Sequence, residues 1–223
     1  MAKHKDREVT EALYQELRRL AAASGLAQAD FAHLAAAEAR QARELRKMKK
    51  FRFQLLHRWL VARFAPCRAA DIGGGKGLLA YLLQQSGWDA VVVDPVYQPL
   101  PDKYKDIGAD RQMKLDGAAR VPHIDAPFTA ELGARFDLLI GLHAHGCNAA
   151  VIDAAAESGC GFVLFPCCVI DEPLLPLPGI DWLACVAQLA LQRGLATTPF
   201  RLNFKGQHIG LYHVGEKVGL VAK

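Results

Sequence analysis

The sequence predicts an α/β protein with a doubly wound, mostly parallel seven-stranded sheet and an N-terminal helical extension. From residue 67 onward, short β-type apolar runs alternate with helical patterns, which is typical of a parallel sheet covered by helices on both faces. A glycine-rich turn over residues 71–77 joins the first such run to the first helical pattern. Residues 1–66 show only helical spacing. We therefore assign residues 1–66 to a basic helical extension and residues 67–223 to the sheet domain.

Composition is consistent with one domain and an appendage. The 223 residues are 52% apolar and 22% charged, which provides a sizeable core and argues against global disorder. No apolar run is long enough to cross a bilayer or to act as a secretory signal. The six cysteines lack Cys-x-x-Cys spacing and are interpreted as reduced thiols. We expect a cytoplasmic protein that does not enter a membrane.

Positive charge is concentrated in the extension. Residues 1–66 carry fourteen Lys and Arg against seven Asp and Glu, whereas residues 67–223 carry thirteen against sixteen. Apolar spacing predicts one helix over residues 6–23 and a second from about residue 30. These cations form either a solvated helix face or a surface that contacts phosphates, and their excess over acids favours the second. The cations expected to contact a polyanion are Arg43, Arg46, Lys47, Lys49, Lys50 and Arg52, with Lys76 in the glycine turn.

The glycine turn has a defined spacing. It reads Asp-x-Gly-x-Gly-x-Gly from Asp71 to Gly77, so backbone N–H groups at a helix start can approach a ligand closely. The dinucleotide fingerprint Gly-x-Gly-x-x-Gly is not met, because Leu78 occupies its third glycine position; this disfavours a nicotinamide oxidoreductase. A second strand over residues 90–94 ends in Asp94, which either accepts hydrogen bonds from ribose hydroxyls or forms a turn before Pro95.

The remaining elements follow in order. A helix over residues 77–86 is ended by a glycine, and a third strand fits residues 112–115 and is followed by Asp116. A fourth strand over residues 136–142 is followed by two histidines and by a helix, residues 148–157, with Asn148 as its cap. The later elements are a strand over 161–165, a helix over 181–193 and strands near 198–204 and 208–214.

With this glycine turn and Asp94, the chain resembles the class I S-adenosylmethionine-dependent methyltransferases, whose sheet is Rossmann-like. The resemblance implies S-adenosyl-L-methionine as cofactor. It also implies that the acid after the third strand can reach the adenine of this cofactor. Asp116 is thus an adenine contact or a simple helix cap. The residues implied in cofactor binding are Asp71, Gly73, Gly75, Gly77, Asp94 and Asp116.

Two further segments are similar to one branch of these methyltransferases, which includes a tRNA ribose 2′-O-methyltransferase. They are residues 143–147, His-Ala-His-Gly-Cys, and residues 166–168, Pro-Cys-Cys. The branch resemblance implies an RNA partner, tRNA or rRNA, contacted through the basic N-terminal helices. The zinc-binding modules of some relatives are not recognisable in the chain.

The same two segments supply the candidate catalytic residues His143, His145 and Cys167. A histidine can take a proton from a hydroxyl or an amine, and we assign this role to the pair rather than to one residue. Three interpretations of Cys167 and Cys168 remain. Both are small buried hydrophobic residues, or Cys167 is a nucleophile as in RNA 5-methylcytosine enzymes. In the third, both cysteines bind zinc together with the two histidines and Cys147. The zinc interpretation is the weakest, and no metal is expected.

Two other functions remain open from the sequence. One is a methyltransferase that acts on a protein or a small molecule, with the basic helix used only for packing. The other is a catalytically inactive nucleic-acid-binding module that keeps the cofactor fold.

Overall fold

The computed structural model describes residues 11–15, 17–19, 51–177, 180–204 and 206–221. Residues 11–15 and 17–19 are helical, in agreement with the first predicted helix. The predicted second helix falls largely on residues outside the described part. The same is true of five of the expected phosphate-contacting cations, namely Arg43, Arg46, Lys47, Lys49 and Lys50.

The fold is a Rossmann-like doubly wound α/β sheet, which confirms the predicted class. The strands are β1 Arg68–Ile72, β2 Asp89–Val93, β3 Lys103–Lys105, β4 Gln112–Lys114, β5 His123–Ile124, β6 Leu138–Leu142, β7 Gly161–Phe165, β8 Thr198–Arg201 and β9 Ile209–His213. Seven of them form the main sheet in the order β5-β2-β1-β6-β7-β9-β8, in which β9 alone runs opposite to the others. The other two, β3 and β4, form a separate antiparallel hairpin.

Five labelled helices surround this sheet in the described part of the chain. They are α1 Arg52–Arg63, α2 Leu78–Gln84, α3 Ala130–Gly133, α4 Asn148–Ser158 and α5 Trp182–Gln192. Among the described residues, no helix is both long and apolar enough to pass through a bilayer.

Side-chain alternation along the strands divides the core into two layers. On β1, Ala70 and Ile72 belong to the layer with α4 and α5, whereas Ala69 belongs to the layer with α1 and α2. Because successive strand residues point to opposite faces, both faces of the sheet are buried, as in a parallel sheet covered on both sides. Asp71 alternates with Ala70 and Ile72 and therefore points to the α1–α2 side.

Helix α1 joins the sheet through an aromatic cluster. The Trp59 ring stacks on Phe200 of β8, with centroids 4.0 Å apart and planes at 16°. Phe64 and Tyr212 contact the Trp59 ring edge-on. This cluster fixes α1, and with it Arg52 and Phe53 at its start, beside the carboxyl ends of the strands.

The predicted third strand is wrong in its location. Residues 112–114 pair with Lys103–Lys105 in the β3–β4 hairpin, and the strand beside β2 is β5, only two residues long. Asp125, not Asp116, therefore follows the third strand of the main sheet, and its Oδ1 lies 2.5 Å from Nδ1 of His123. A two-residue edge strand after Pro122 is too short to show strand periodicity, which is why the sequence favoured the hairpin strand instead.

Candidate active site

The glycine turn lies at the carboxyl end of β1 and begins α2. Gly73, Gly75 and Gly77 have φ values of 61°, 54° and 71°, and glycine adopts such angles without the cost that a Cβ brings. The Gly73 N–H donates to Val93 O at 2.9 Å, and the Gly77 N–H donates to Gly74 O at 3.0 Å. The turn is thereby held between β1 and β2, and it joins a strand to a helix start, as its spacing predicted.

Asp71 lies beneath this turn, nearly sealed from solvent. Its Oδ2 accepts a hydrogen bond from the Ala80 N–H at 3.3 Å, in the first turn of α2. A Cβ at Gly74 would lie 2.7 Å from the same oxygen, so the turn fits over the carboxylate only with glycine there. Burial, helped by the nearby charge of Asp94 and opposed by the Ala80 hydrogen bond, raises the pKa of Asp71 to about 7. Asp71 thus positions the turn and the helix start.

Asp94 connects the end of β2 to the glycine turn. Its Oδ2 accepts from the Gly75 N–H at 3.1 Å, and its Oδ1 accepts from the Val96 N–H at 2.9 Å. The sequence left two roles open for Asp94, a turn former and an acceptor for ribose hydroxyls, and this geometry is compatible with both. The Val96 bond is the local turn, while the Gly75 bond ties the acid to the turn that a nucleoside would approach.

Two cavities flank the glycine turn at this edge of the sheet. The first has a volume of about 590 Å³ and lies on the side of β2 and β5, against Gly77, Val92 and Asp116. The second has a volume of about 770 Å³ and lies on the side of β6 and β7, against His143, His145 and Cys167. Gly75, Lys76 and Pro101 line both. Parallel α/β sheets bind ligands at this position, beyond the carboxyl ends of the strands.

Asp116 reaches the first cavity from a loop rather than from the end of a sheet strand. Its Oδ1 accepts from the Ala118 N–H at 2.9 Å, so part of its role is to form a local turn. Residues that the sequence did not single out share the cavity with it. They are Tyr97, Gln98, Arg120, Val121 and His123. In the sequence, the proline-rich loop after β2 was the one signal that could have pointed to Tyr97 and Gln98.

The two histidines after β6 face the second cavity together. His143 has a φ of 62°, an angle uncommon for a residue with a Cβ, and its ring contacts Phe204 with centroids 6.1 Å apart. His145 is exposed, and its Nδ1 lies 2.9 Å from Sγ of Cys168. The structure therefore brings the predicted pair to the end of β7, where the Pro-Cys-Cys segment lies.

Cys167 of this segment is a protonated thiol at neutral pH in the arrangement observed. Burial, with a further contribution from Cys168, raises the pKa of Cys167 to about 11. The two sulfurs lie 3.7 Å apart. Because the thiolate is the reactive form of cysteine, this environment disfavours Cys167 as a nucleophile.

Glu172, which the sequence analysis did not identify, links the loop after β6 to the loop after β7. Glu172, which follows β7, accepts from the backbone N–H groups of Asn148 and Ala149 at 2.8 and 3.2 Å. It therefore caps α4. Asn148 is the first helical residue, not the cap as predicted, and its side-chain amide donates to the same carboxylate at 2.5 Å. Glu172 lies 24 positions from Asn148, too far for a local capping pattern to reveal it.

Cations and aromatic rings line the second cavity. They are Arg52, Phe53, Lys76, Lys103 and Tyr104. The Arg52 guanidinium lies 4.8 Å from the Phe53 ring centre, and its Nε is buried without a hydrogen-bond partner among the described residues. Burial lowers the pKa of Arg52. A buried, unpaired donor on a cation is costly, and an anion or a carbonyl in the cavity would satisfy it.

Part of the chain is similar to a curated protein, and most of it can be superposed on solved structures. No protein-family model matches the chain. An alignment over 107 residues, which covers 46% of the chain, is 33% identical to a probable tRNA (uracil-O(2)-)-methyltransferase from Caenorhabditis elegans. The chain spans only 17% of the length of that relative.

Two solved structures are also similar. The Burkholderia thailandensis 1,6-didemethyltoxoflavin-N1-methyltransferase, with bound 1,6-didemethyltoxoflavin and S-adenosylhomocysteine, matches with a TM-score of 0.43 and 16% identity over 87% of each chain. The protein WbdD, in complex with a kinase inhibitor, matches with a TM-score of 0.32 and 13% identity, over 73% of this chain and 38% of its own.

Proposed function

We propose that this protein is an S-adenosyl-L-methionine-dependent methyltransferase that acts on RNA, with tRNA or rRNA as the substrate. The observation that carries the proposal is the glycine turn, which forms the common wall of two cavities. One cavity is large enough for a nucleoside, and the other is lined by two histidines and several cations. Methyl transfer requires a donor and an acceptor to meet in line, which two adjoining cavities permit. The name of the nematode relative supports both the reaction and the substrate.

The residues present fit such a donor. We propose that Gly73, Gly75, Gly77, Asp94 and Asp116 hold it, with Asp71 acting through the turn that it supports. A Cβ at Gly77 would lie 3.0 Å from Cγ2 of Val92, so this wall of the first cavity is shaped for a close approach of the backbone. When bound, the donor supplies a methyl group already activated on a sulfonium.

The second cavity has the chemistry of a nucleic-acid site. Arg52, Lys76 and Lys103 offer positive charge to phosphates, and Phe53 and Tyr104 offer aromatic rings for bases to stack on. Arg52 and Lys76 were expected from the sequence. We propose that Arg43, Arg46, Lys47, Lys49 and Lys50, which lie outside the described residues, also contact the RNA.

We assign the proton transfer to His143 and a supporting role to His145, because the His145 ring is engaged with Cys168. His143 would take the proton of the acceptor hydroxyl when that oxygen receives the methyl group and the carbon–sulfur bond of the donor breaks, which leaves a neutral thioether. The raised pKa of Cys167 favours a role for it in the cavity wall. A ribose oxygen is therefore preferred over carbon five of cytosine as the methylated atom.

A cytoplasmic location fits the same proposal. The six cysteines are free thiols in the structure, as expected for a reducing compartment.

The direct test incubates the full chain with methyl-labelled donor and fractionated RNA, and then digests the RNA to nucleosides. We expect label on a ribose oxygen. Label on cytosine carbon five would indicate that Cys167 acts as a nucleophile and that His143 is not the essential base. Label transferred to protein or to small molecules, with none on RNA, would favour the non-RNA alternative. RNA binding with no transfer would favour an inactive binding module.

The role of His143 is tested by His143→Asn, since asparagine tolerates the positive φ at this position. We expect kcat to fall by about 10²- to 10⁴-fold, the usual contribution of a general base, while calorimetry shows unchanged donor affinity. His57→Asn is the control, because His57 bonds to Ser86 away from both cavities. Unchanged turnover in His143→Asn would remove this residue from the mechanism.

A further inference from the structure

Three potential metal ligands converge at the wall of the second cavity. His145 follows β6, whereas Cys167 and Cys168 follow β7. One ligand atom from each, the histidine nitrogen and the two sulfurs, lies within 4.8 Å of the others. The sulfurs are 3.7 Å apart, and His145 Nδ1 is 2.9 Å from Cys168 Sγ.

The sulfur–sulfur separation matches a tetrahedral site, whereas the distance from His145 Nδ1 to Cys168 Sγ is shorter than such a site requires. Zinc–sulfur bonds of about 2.3 Å at the tetrahedral angle place two sulfurs roughly 3.8 Å apart, close to the distance observed. A zinc–nitrogen bond of about 2.0 Å would place the nitrogen roughly 3.6 Å from each sulfur, so the His145 ring must withdraw by less than an ångström. His145 is exposed, so its side chain has room for that movement.

The loops that carry the ligands are held in place by other contacts. Glu172 joins the start of α4 to the loop after β7. Gln207 donates to the Pro166 carbonyl at 2.9 Å, and the Cys147 thiol donates to the His145 carbonyl, with its sulfur 3.2 Å from the oxygen. The site is therefore largely formed before any ion arrives, which reduces the ordering cost of binding.

We propose that His145, Cys167 and Cys168 bind a single transition-metal ion of the zinc class, with a fourth position open to the second cavity. One imidazole and two thiolates are the donor set that favours zinc over magnesium or calcium. His145 and Cys167 line the second cavity, so the fourth ligand is a water molecule or a group of the molecule bound there. This inference goes beyond the proposed methyl transfer and stands without it.

The test uses the full chain, reduced and freed of metal with a chelator. Cobalt(II) is added as a spectroscopic probe. We expect thiolate-to-cobalt charge-transfer absorption that saturates at one equivalent and disappears when zinc is added. Elemental analysis of the protein as purified is expected to show zinc near one equivalent.

Matched variants separate this site from the other thiols. Cys168→Ser and His145→Asn should each weaken cobalt binding at least tenfold, and Cys185→Ser should leave it unchanged, because Cys185 lies on α5 outside the cluster. His145 is exposed, so His145→Asn tests the site even if Cys168→Ser fails to fold. Absence of thiolate absorption in the parent chain, or equal absorption in His145→Asn, would overturn the proposal.

Discussion

The fold strongly controls the charge of Asp71. Burial raises its pKa from 3.8 to about 7, so the folded protein holds a proton that the unfolded chain releases over this range. The contribution of Asp71 to stability is therefore complete below about pH 4 and is lost as the pH rises through 7. At about 1.4 kcal/mol for each pKa unit, this loss is roughly 4 kcal/mol.

The variant Asp71→Asn should remove that dependence. At pH 8 we expect it to unfold at a higher denaturant concentration than the parent chain, because it buries no charge, and at pH 4 the two should be similar. Chemical denaturation at both pH values measures the difference. Asp89→Asn is the control, since Asp89 is largely exposed on β2. An equal effect of Asp71→Asn at both pH values would contradict the assignment.

At the scale of elements, the glycine turn was the part of the site that sequence could predict best. Its spacing is local, and the strand before it and the helix after it are each long enough to show a period. The prediction of the third strand failed because β5 has only two residues, too few to show strand periodicity. The capping of α4 by Glu172 and the approach of His145 to Cys168 join distant segments, and such contacts depend on how β6 and β7 pair.

Gly77→Ala tests how this turn shapes the first cavity. Alanine at a φ of 71° costs about 1 kcal/mol, and its Cβ would also crowd Val92. Gly87→Ala has a similar φ of 82° with nothing within 4 Å of the new Cβ, so it serves as a control for backbone strain alone. Both variants should lose stability in thermal unfolding, Gly77→Ala more than Gly87→Ala because of the contact with Val92, but only Gly77→Ala should lose affinity for the proposed donor in calorimetry.

Glu172→Ala tests the link between the loops after β6 and β7. Loss of the α4 cap should lower the free energy of unfolding by about 1–2 kcal/mol. Glu157→Ala, at an exposed position in the last turn of α4, should be neutral or slightly stabilising, because an acid there opposes the helix dipole. If the two variants melt at the same temperature, the carboxylate of Glu172 is not a cap in solution.

At the scale of the whole molecule, charge is divided unequally between the two parts of the sequence. Residues 1–66 are basic and residues 67–223 slightly acidic, and Arg52 and Lys76 bring positive charge from both parts to one cavity. An RNA that contacts several of these cations must release counterions, so its affinity should fall steeply with salt.

That dependence gives a quantitative prediction for single-stranded RNA. Lys76→Gln should reduce the slope of log K against log salt by about 0.7, the value for one phosphate contact. Lys217→Gln should leave the slope unchanged, because Lys217 reaches the Ala134 carbonyl before β6, near the amino ends of the strands. Fluorescence anisotropy at several salt concentrations measures the slopes. Equal slopes for Lys76→Gln and the parent chain would exclude a phosphate contact at Lys76.

The shared wall between the cavities has a consequence for ligand design. Among the described residues, Gly75, Lys76 and Pro101 are the ones that border both cavities, so a short tether across Gly75 could connect two fragments, one in each cavity. The second fragment would then experience an effective concentration in the millimolar range, about that set by a short flexible linker. Two weak fragments joined in this way would bind together far more tightly than either does alone.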